Sequence, residues 1–165
     1  MSKLTPPDSH HVNAASGWLE LGNPAEASAE LAKVASTHAH HPVVLELGWR
    51  ICAAEHNWPD ALAAARRLVQ VHPEDATGWI HQSYCLHEMR RTREAFDLLA
   101  AIVRKFPRIS TIPYNLACYA CQMGDLEQTR NWLARAIKIR GKTDIKRAAL
   151  ADPDLRPIWE EIRKL

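Results

Sequence analysis

Residues 92–107 read TREAFDLLAAIVRKFP, and residues 58–73, one step of 34 earlier, read WPDALAAARRLVQVHP. Ala61 and Ala95 share a slot, as do Ala65 and Leu99, Leu68 and Ile102, and Pro73 and Pro107. The same step of 34 extends the columns in both directions, giving Ala27, Ala61, Ala95 and Thr129, then Leu31, Ala65, Leu99 and Leu133, then Val34, Leu68, Ile102 and Ala136. Pro24, Trp58, Thr92 and Leu126 form a further column, and Gly141 and Ala39 take the slots of the two prolines. Three small or aliphatic columns in register over four copies make an internal repeat.

The columns lie at offsets of 0, +4 and +7, which place them on one face of a helix. The Ala slot calls for a small side chain because two helices cross there at close range. Proline cannot continue a helix, so Pro73 and Pro107 each close one copy. Ahead of each patterned stretch lies a second helical stretch, over 8–21, 42–55, 76–89 and 110–123, and each ends in a turn. Gly22-Asn23 and Gly124-Asp125 are turn signals between paired helices. The reading is all-α, four helix–turn–helix units over 8–41, 42–75, 76–109 and 110–141, preceded by a lead at 1–7.

Trp79, Tyr84, Leu86, Glu94-Ala95, Leu99, Ile102 and Pro107 in the third unit, with Tyr114-Asn115-Leu116-Ala117 and Gly124-Asp125-Leu126 in the fourth, resemble the tetratricopeptide repeat family. The resemblance covers roughly residues 8–141 and implies a right-handed α-solenoid. Leu47-Gly48 resembles the family's Leu-Gly pair but falls one residue early. That offset predicts a one-residue slip in the helix 42–55, absorbed by a longer turn at 55–58.

The period stops at Gly141, leaving residues 142–165 as a tail. Ile145, Ala148, Ala149 and Leu150 suggest a short amphipathic helix. Asp152 and Pro153 suit the N-cap and first position of another, whose apolar face holds Leu155, Ile158, Trp159 and Ile162. Stacked repeats leave an apolar end, and two capping helices would cover it. The run Asp152-Pro153-Asp154-Leu155 resembles tails of small bacterial tetratricopeptide proteins.

Composition agrees with a cytoplasmic globular chain. Its 165 residues are 47% hydrophobic and 24% charged. The start MSKLTPPDSHH carries no apolar core of a secretory signal, and no apolar run reaches membrane-spanning length. Cys52, Cys85, Cys118 and Cys121 all sit in helical pattern rather than at disulfide-framework spacing. Residues 1–65 hold three Lys/Arg against seven Asp/Glu, whereas residues 66–165 hold eighteen against twelve. That asymmetry fits either ordinary solvated helix faces or a bias of the second half toward an acidic partner.

Catalytic chemistry finds no foothold. There is no phosphate loop and no nucleophile elbow. Cys118 and Cys121 form a CxxC in mid-helix, away from the helix N-terminus that would activate a thiol. His38, His40 and His41 cluster at a unit junction without the four placed ligands of a zinc site. The chain is expected to be no enzyme and to carry no cofactor and no metal.

The resemblance implies that the first helices line a concave groove for a protein or peptide segment. Its groove positions map to Asn13 and Ser16, with Glu20 near the rim, then to Glu46 and Arg50, then His81, Tyr84, His87 and Glu88, then Tyr114, Asn115, Cys118 and Gln122. Asn13, His81 and Asn115 share one slot. The resemblance therefore implies an adaptor or chaperone-like interaction module. The alternatives are a self-associating scaffold and an RNA- or metal-binding accessory. The basic carboxylate clamp of the family's heat-shock-chaperone binders is not matched, since Thr77 and His81 stand where basic residues would be needed.

Overall fold

The structure is a computed structural model that describes residues 4–165, so positions 1–3 of the lead lie outside the described residues. The described residues are helical, with no strand among them. The order is α1 (Asp8–Glu20), α2 (Pro24–Leu31), a 3-10 turn (Ser36–His38), α3 (Pro42–Ala54), α4 (Trp58–Val71), α5 (Ala76–Glu88) and α6 (Thr92–Ile102). Then follow α7 (Thr111–Gln122), α8 (Leu126–Arg140), α9 (Lys142–Ala151), a 3-10 segment (Pro153–Ile158) and α10 (Trp159–Lys164). The chain divides into two compact units, one ending at Cys85 and the other running from Leu86 to Leu165, with the boundary inside α5.

The turn inside each helix pair follows one backbone plan. Gly22, His56, Arg90 and Gly124 have φ of 75°, 56°, 62° and 81°, each on the left-handed side. They stand at equal steps of 34. The next residue starts the second helix. Asn23, Asn57 and Asp125 each accept the N–H three residues on, from Glu26, Asp60 and Gln128. Arg91, which has no such acceptor, instead forks onto Glu94 through two bonds of 2.7 Å.

This grid corrects the expected slip. His56 occupies the left-handed slot on schedule, and α3 spans 13 residues as α1 and α5 do. No longer turn exists at 55–58. Gly48 marks no register change: a methyl there would meet Leu31 at 3.7 Å, an ordinary contact.

Packing follows the columns. Ala27, Ala61 and Ala95 are fully buried, and so is Thr129, whose hydroxyl donates to the Asp125 carbonyl at 2.8 Å. That bond lets a polar side chain fill a slot meant for alanine. In the first unit, Val12, Ala15, Ala27, Val44, Leu47 and Ile51 form a core flanked by Leu4, Leu19, Leu31 and Val34. Gly78 of α5 lies against α4, where a Cβ would fall 2.9 Å from Val69 Cγ2 and 3.0 Å from its backbone nitrogen.

Two elements differ from the sequence expectation. The second helix of the first pair stops at Leu31 and gives way to the 3-10 turn. Asp8, only 5% exposed, fixes that turn, accepting the Ala35 N–H at 3.1 Å and His38 Nδ1 at 2.5 Å. In the tail, Asp152 does cap, accepting from the Asp154 N–H at 3.0 Å, but what it caps is a 3-10 segment, and α-helix resumes only at Trp159. Pro157 inside this stretch removes an N–H donor and shortens what α-helix can form.

Candidate functional site

The shared slot of Asn13, His81 and Asn115 has three different environments. Asn13 is exposed in a cleft between α1 and α3, lined with Val12, Ser16, Val43, Glu46, Leu47 and Arg50 and about 230 Å³ in volume. Ser16 donates to Glu20 there at 3.5 Å, across one turn of α1. Glu46 and Arg50 bring one charge of each sign to its far wall.

Asn115 faces a larger cleft of about 460 Å³ between α7 and α9. Ser110, Thr111 and Tyr114 complete the α7 wall, and Arg140, Asp144, Ile145 and Arg147 stand opposite. Asp144 accepts from Arg147 at 2.8 Å and lies 3.8 Å from Arg140. Two guanidiniums therefore share one carboxylate, and most of their N–H donors stay available.

His81 is not open in the same way. Its ring stacks on Trp49, with centroids 3.5 Å apart and planes 6° from parallel. Its Nε2 is buried without a hydrogen-bond partner, and burial holds its pKa down at about 4. Tyr84 lies edge-on to both Trp49 and Trp58, at 6.3 and 5.7 Å. This aromatic cluster belongs to the packing of the first unit, although Tyr84 keeps 38% of its surface exposed.

The remaining expected contacts meet the chain's own tail. Tyr114 Oη donates to Asp152 Oδ2 at 2.9 Å, and Cys118 Sγ donates to the same oxygen at 3.4 Å. Gln122 Nε2 donates to the Asp154 carbonyl at 2.9 Å. His87 Nε2 reaches Asp154 Oδ2 at 3.0 Å, its Nδ1 pairs with the Thr92 hydroxyl at 3.0 Å, and its ring leans on Tyr119. Burial, with Cys118 and Asp152 adding to it, pushes the Tyr114 phenol far up, so it stays a donor. Burial, then Asp152, raises the Cys118 thiol well above its usual range.

Sequence reasoning does not single out Trp49, Asp152, Asp154, Arg140 or Arg147 as site residues. Trp49 falls between Glu46 and Arg50, the two positions the resemblance maps to that helix. Arg140 ends α8 and Arg147 lies with Asp144 in α9, so their convergence runs across the Gly141 turn and leaves no single-helix spacing to read. The docking of Asp152 on α7 joins residues 38 apart in sequence and has no local signal. Among the described residues no group of three or more His, Cys, Asp or Glu is placed to hold a metal ion. His41 Nδ1 accepts the Val43 N–H, and His38 is bound to Asp8. No helix of the described residues is long and apolar enough to cross a membrane.

No family model and no curated protein matches this chain. Solved structures do. A thermophilic TPR protein of Thermus thermophilus, TTC0263, superposes with a TM-score of 0.72 at 16% identity, over 96% of this chain and 100% of that one. MamA 41-end from Desulfovibrio magneticus RS-1 gives 0.73 at 16% identity, over 98% and 94%. A MamA RS-1 double mutant gives the same values. The fold is thus that of tetratricopeptide-repeat proteins.

Proposed function

We infer that this chain is an interaction module that binds an extended protein segment in the clefts beside its first helices, in an adaptor or chaperone-like role within the cytoplasm. One observation carries the reading. Asn13 and Asn115, three repeat periods apart, each line an open cleft beside their own first helix, between α1 and α3 for Asn13 and between α7 and α9 of the tail for Asn115. A primary amide donates and accepts at once, which suits the alternating N–H and C=O of an extended backbone of any sequence. The clefts differ in charge, with Glu46 and Arg50 balanced in one and two arginines against Asp144 in the other. The segment bound at α7 and α9 would accordingly be the more acidic.

Selection of a phage-displayed random peptide library on the full chain tests this. Recovered peptides should lose affinity by about tenfold on Asn115→Ala or Asn13→Ala, the loss of one or two backbone hydrogen bonds. No enriched peptide, or peptides indifferent to both substitutions, would remove the reading.

A further inference from the structure

Residues 152–158 lie against α7 without forming α-helix, and the contacts they make are those of a bound peptide. Tyr114 and Cys118 donate to the Asp152 carboxylate, His87 reaches the Asp154 carboxylate, and Gln122 reads the Asp154 backbone carbonyl. Leu155, the next residue of the segment, has no exposed surface. Among the described residues no Lys or Arg pairs with either carboxylate. A cap needs only apolar cover. Here two carboxylates and a peptide carbonyl are read by separate side chains around one aliphatic anchor, the layout of a recognition site with a central hot spot.

Resting on the segment-binding reading above, we propose that the face formed by α7 and His87 is a docking surface for an acidic segment of the pattern Asp-x-Asp-Leu, filled in cis by residues 152–155. A partner segment carrying two carboxylates two residues apart, followed by a branched aliphatic, displaces it. The cis segment is tethered through α9 and acts at an effective concentration of about 1 mM or more. A free segment of equal intrinsic affinity therefore cannot compete at micromolar concentration. Access opens when the cis anchor is weakened or when the partner binds a neighbouring cleft at the same time.

The probe is a fluorescein-labelled peptide of residues 150–159, read by fluorescence anisotropy against the full chain and its full-length Leu155→Ala variant. Wild type should show no binding below about 100 µM, and Leu155→Ala should bind at least about tenfold tighter. Replacing both aspartates of the peptide by asparagine, or adding Gln122→Ala to the variant, should each cost about tenfold. A helical Leu155→Ala chain that ignores the peptide, or that takes the asparagine form equally well, overturns the proposal. If Leu155→Ala does not fold, amide hydrogen exchange on wild type decides. Exchange of 152–158 well ahead of α7 upholds a releasable segment, and exchange only together with α7 shows a permanent cap. Library peptides that lose affinity on Asn115→Ala while the 150–159 peptide fails would sink this inference alone. Failure of both probes would sink the interaction reading with it.

Discussion

Tyr114 and Asp152 tie the first helix of the last pair to the chain beyond the repeats: the phenol donates to Oδ2 at 2.9 Å while Oδ1 of the same carboxylate caps the Asp154 N–H at 3.0 Å. Cys118 supplies a third donor. Asp152 is half-buried and these donors take the place of part of its water, so removing one is felt.

Tyr114→Phe keeps the ring and deletes the donor. A hydrogen bond to a charged acceptor is worth about 1.5–3 kcal/mol when fully buried. Tyr114 is half-buried and Cys118 stays in place, so a loss of about 1 kcal/mol is expected. The urea midpoint followed by helical ellipticity measures it. A midpoint equal to wild type would mean that the phenol contributes nothing to holding the tail.

Gly78→Ala sets helix propensity against packing. Alanine is favoured over glycine by at most about 1 kcal/mol, the helix-interior value, and Gly78 stands in the first turn of α5. The new Cβ would stand 2.9 Å from Val69 Cγ2 and 3.0 Å from the Val69 backbone nitrogen. The side chain can rotate away but the backbone cannot, and overpacking of this kind costs about 1–3 kcal/mol. The substitution should therefore destabilise the first unit, while Gly17→Ala, with nothing within 4 Å of its Cβ, should not. Parallel thermal melts of the two variants decide the sign, and a raised melting temperature for Gly78→Ala would refute the close approach of α4 and α5.

These positions also show what the sequence could reveal. The Ala27, Ala61, Ala95 and Thr129 column was legible because helix crossing imposes a size limit that composition cannot hide. The turn slot was half legible: glycine announces it at 22 and 124, whereas His56 and Arg90 adopt the same left-handed φ without any such mark. Gly48 misled in the opposite direction, since a glycine with room for a methyl carries no positional information. The first-helix face was readable as a set of positions, but which of them the tail covers depends on where Leu155 finds its pocket. That is a tertiary event with no periodic trace.

His81 gives the first unit an acid-side weakness. Its pKa in the folded chain is down at about 4 because burial disfavours the imidazolium, against 6.5 for the free side chain. Between those values the unfolded chain binds more protons than the folded one, so stability is full above about pH 6.5 and falls as pH drops toward 4. At about 1.4 kcal/mol for each unit of separation, and with part of the ring still solvated, the loss is about 1–3 kcal/mol. His81→Phe keeps the stack on Trp49, removes the unpartnered Nε2 and should flatten that slope. NMR titration of the histidine Hε1 protons tests the cause directly. A His81 resonance titrating near the free value would place the acid sensitivity elsewhere.

The CxxC of α7 should behave as packing rather than as a redox pair. The thiolate is the reactive form, and the features that lower a thiol pKa are a helix N-terminus or a nearby cation. Cys118 and Cys121 have neither. Burial is the first cause raising both, and Asp152 and Asp154 add negative charge beside them. Cys85 is fully buried and accepts from Trp49 Nε1 at 3.2 Å. Cys52 is raised as well, chiefly by burial, yet it keeps some exposed surface. Iodoacetamide at neutral pH should therefore modify Cys52 first, with Cys85, Cys118 and Cys121 at least about tenfold slower, limited by opening of the fold. Peptide mapping by mass spectrometry over a time course resolves the four sites. Early labelling of Cys118 would mean that the Asp152 segment leaves α7 often enough to expose the thiol, and the rate would then report how often the docking face stands open.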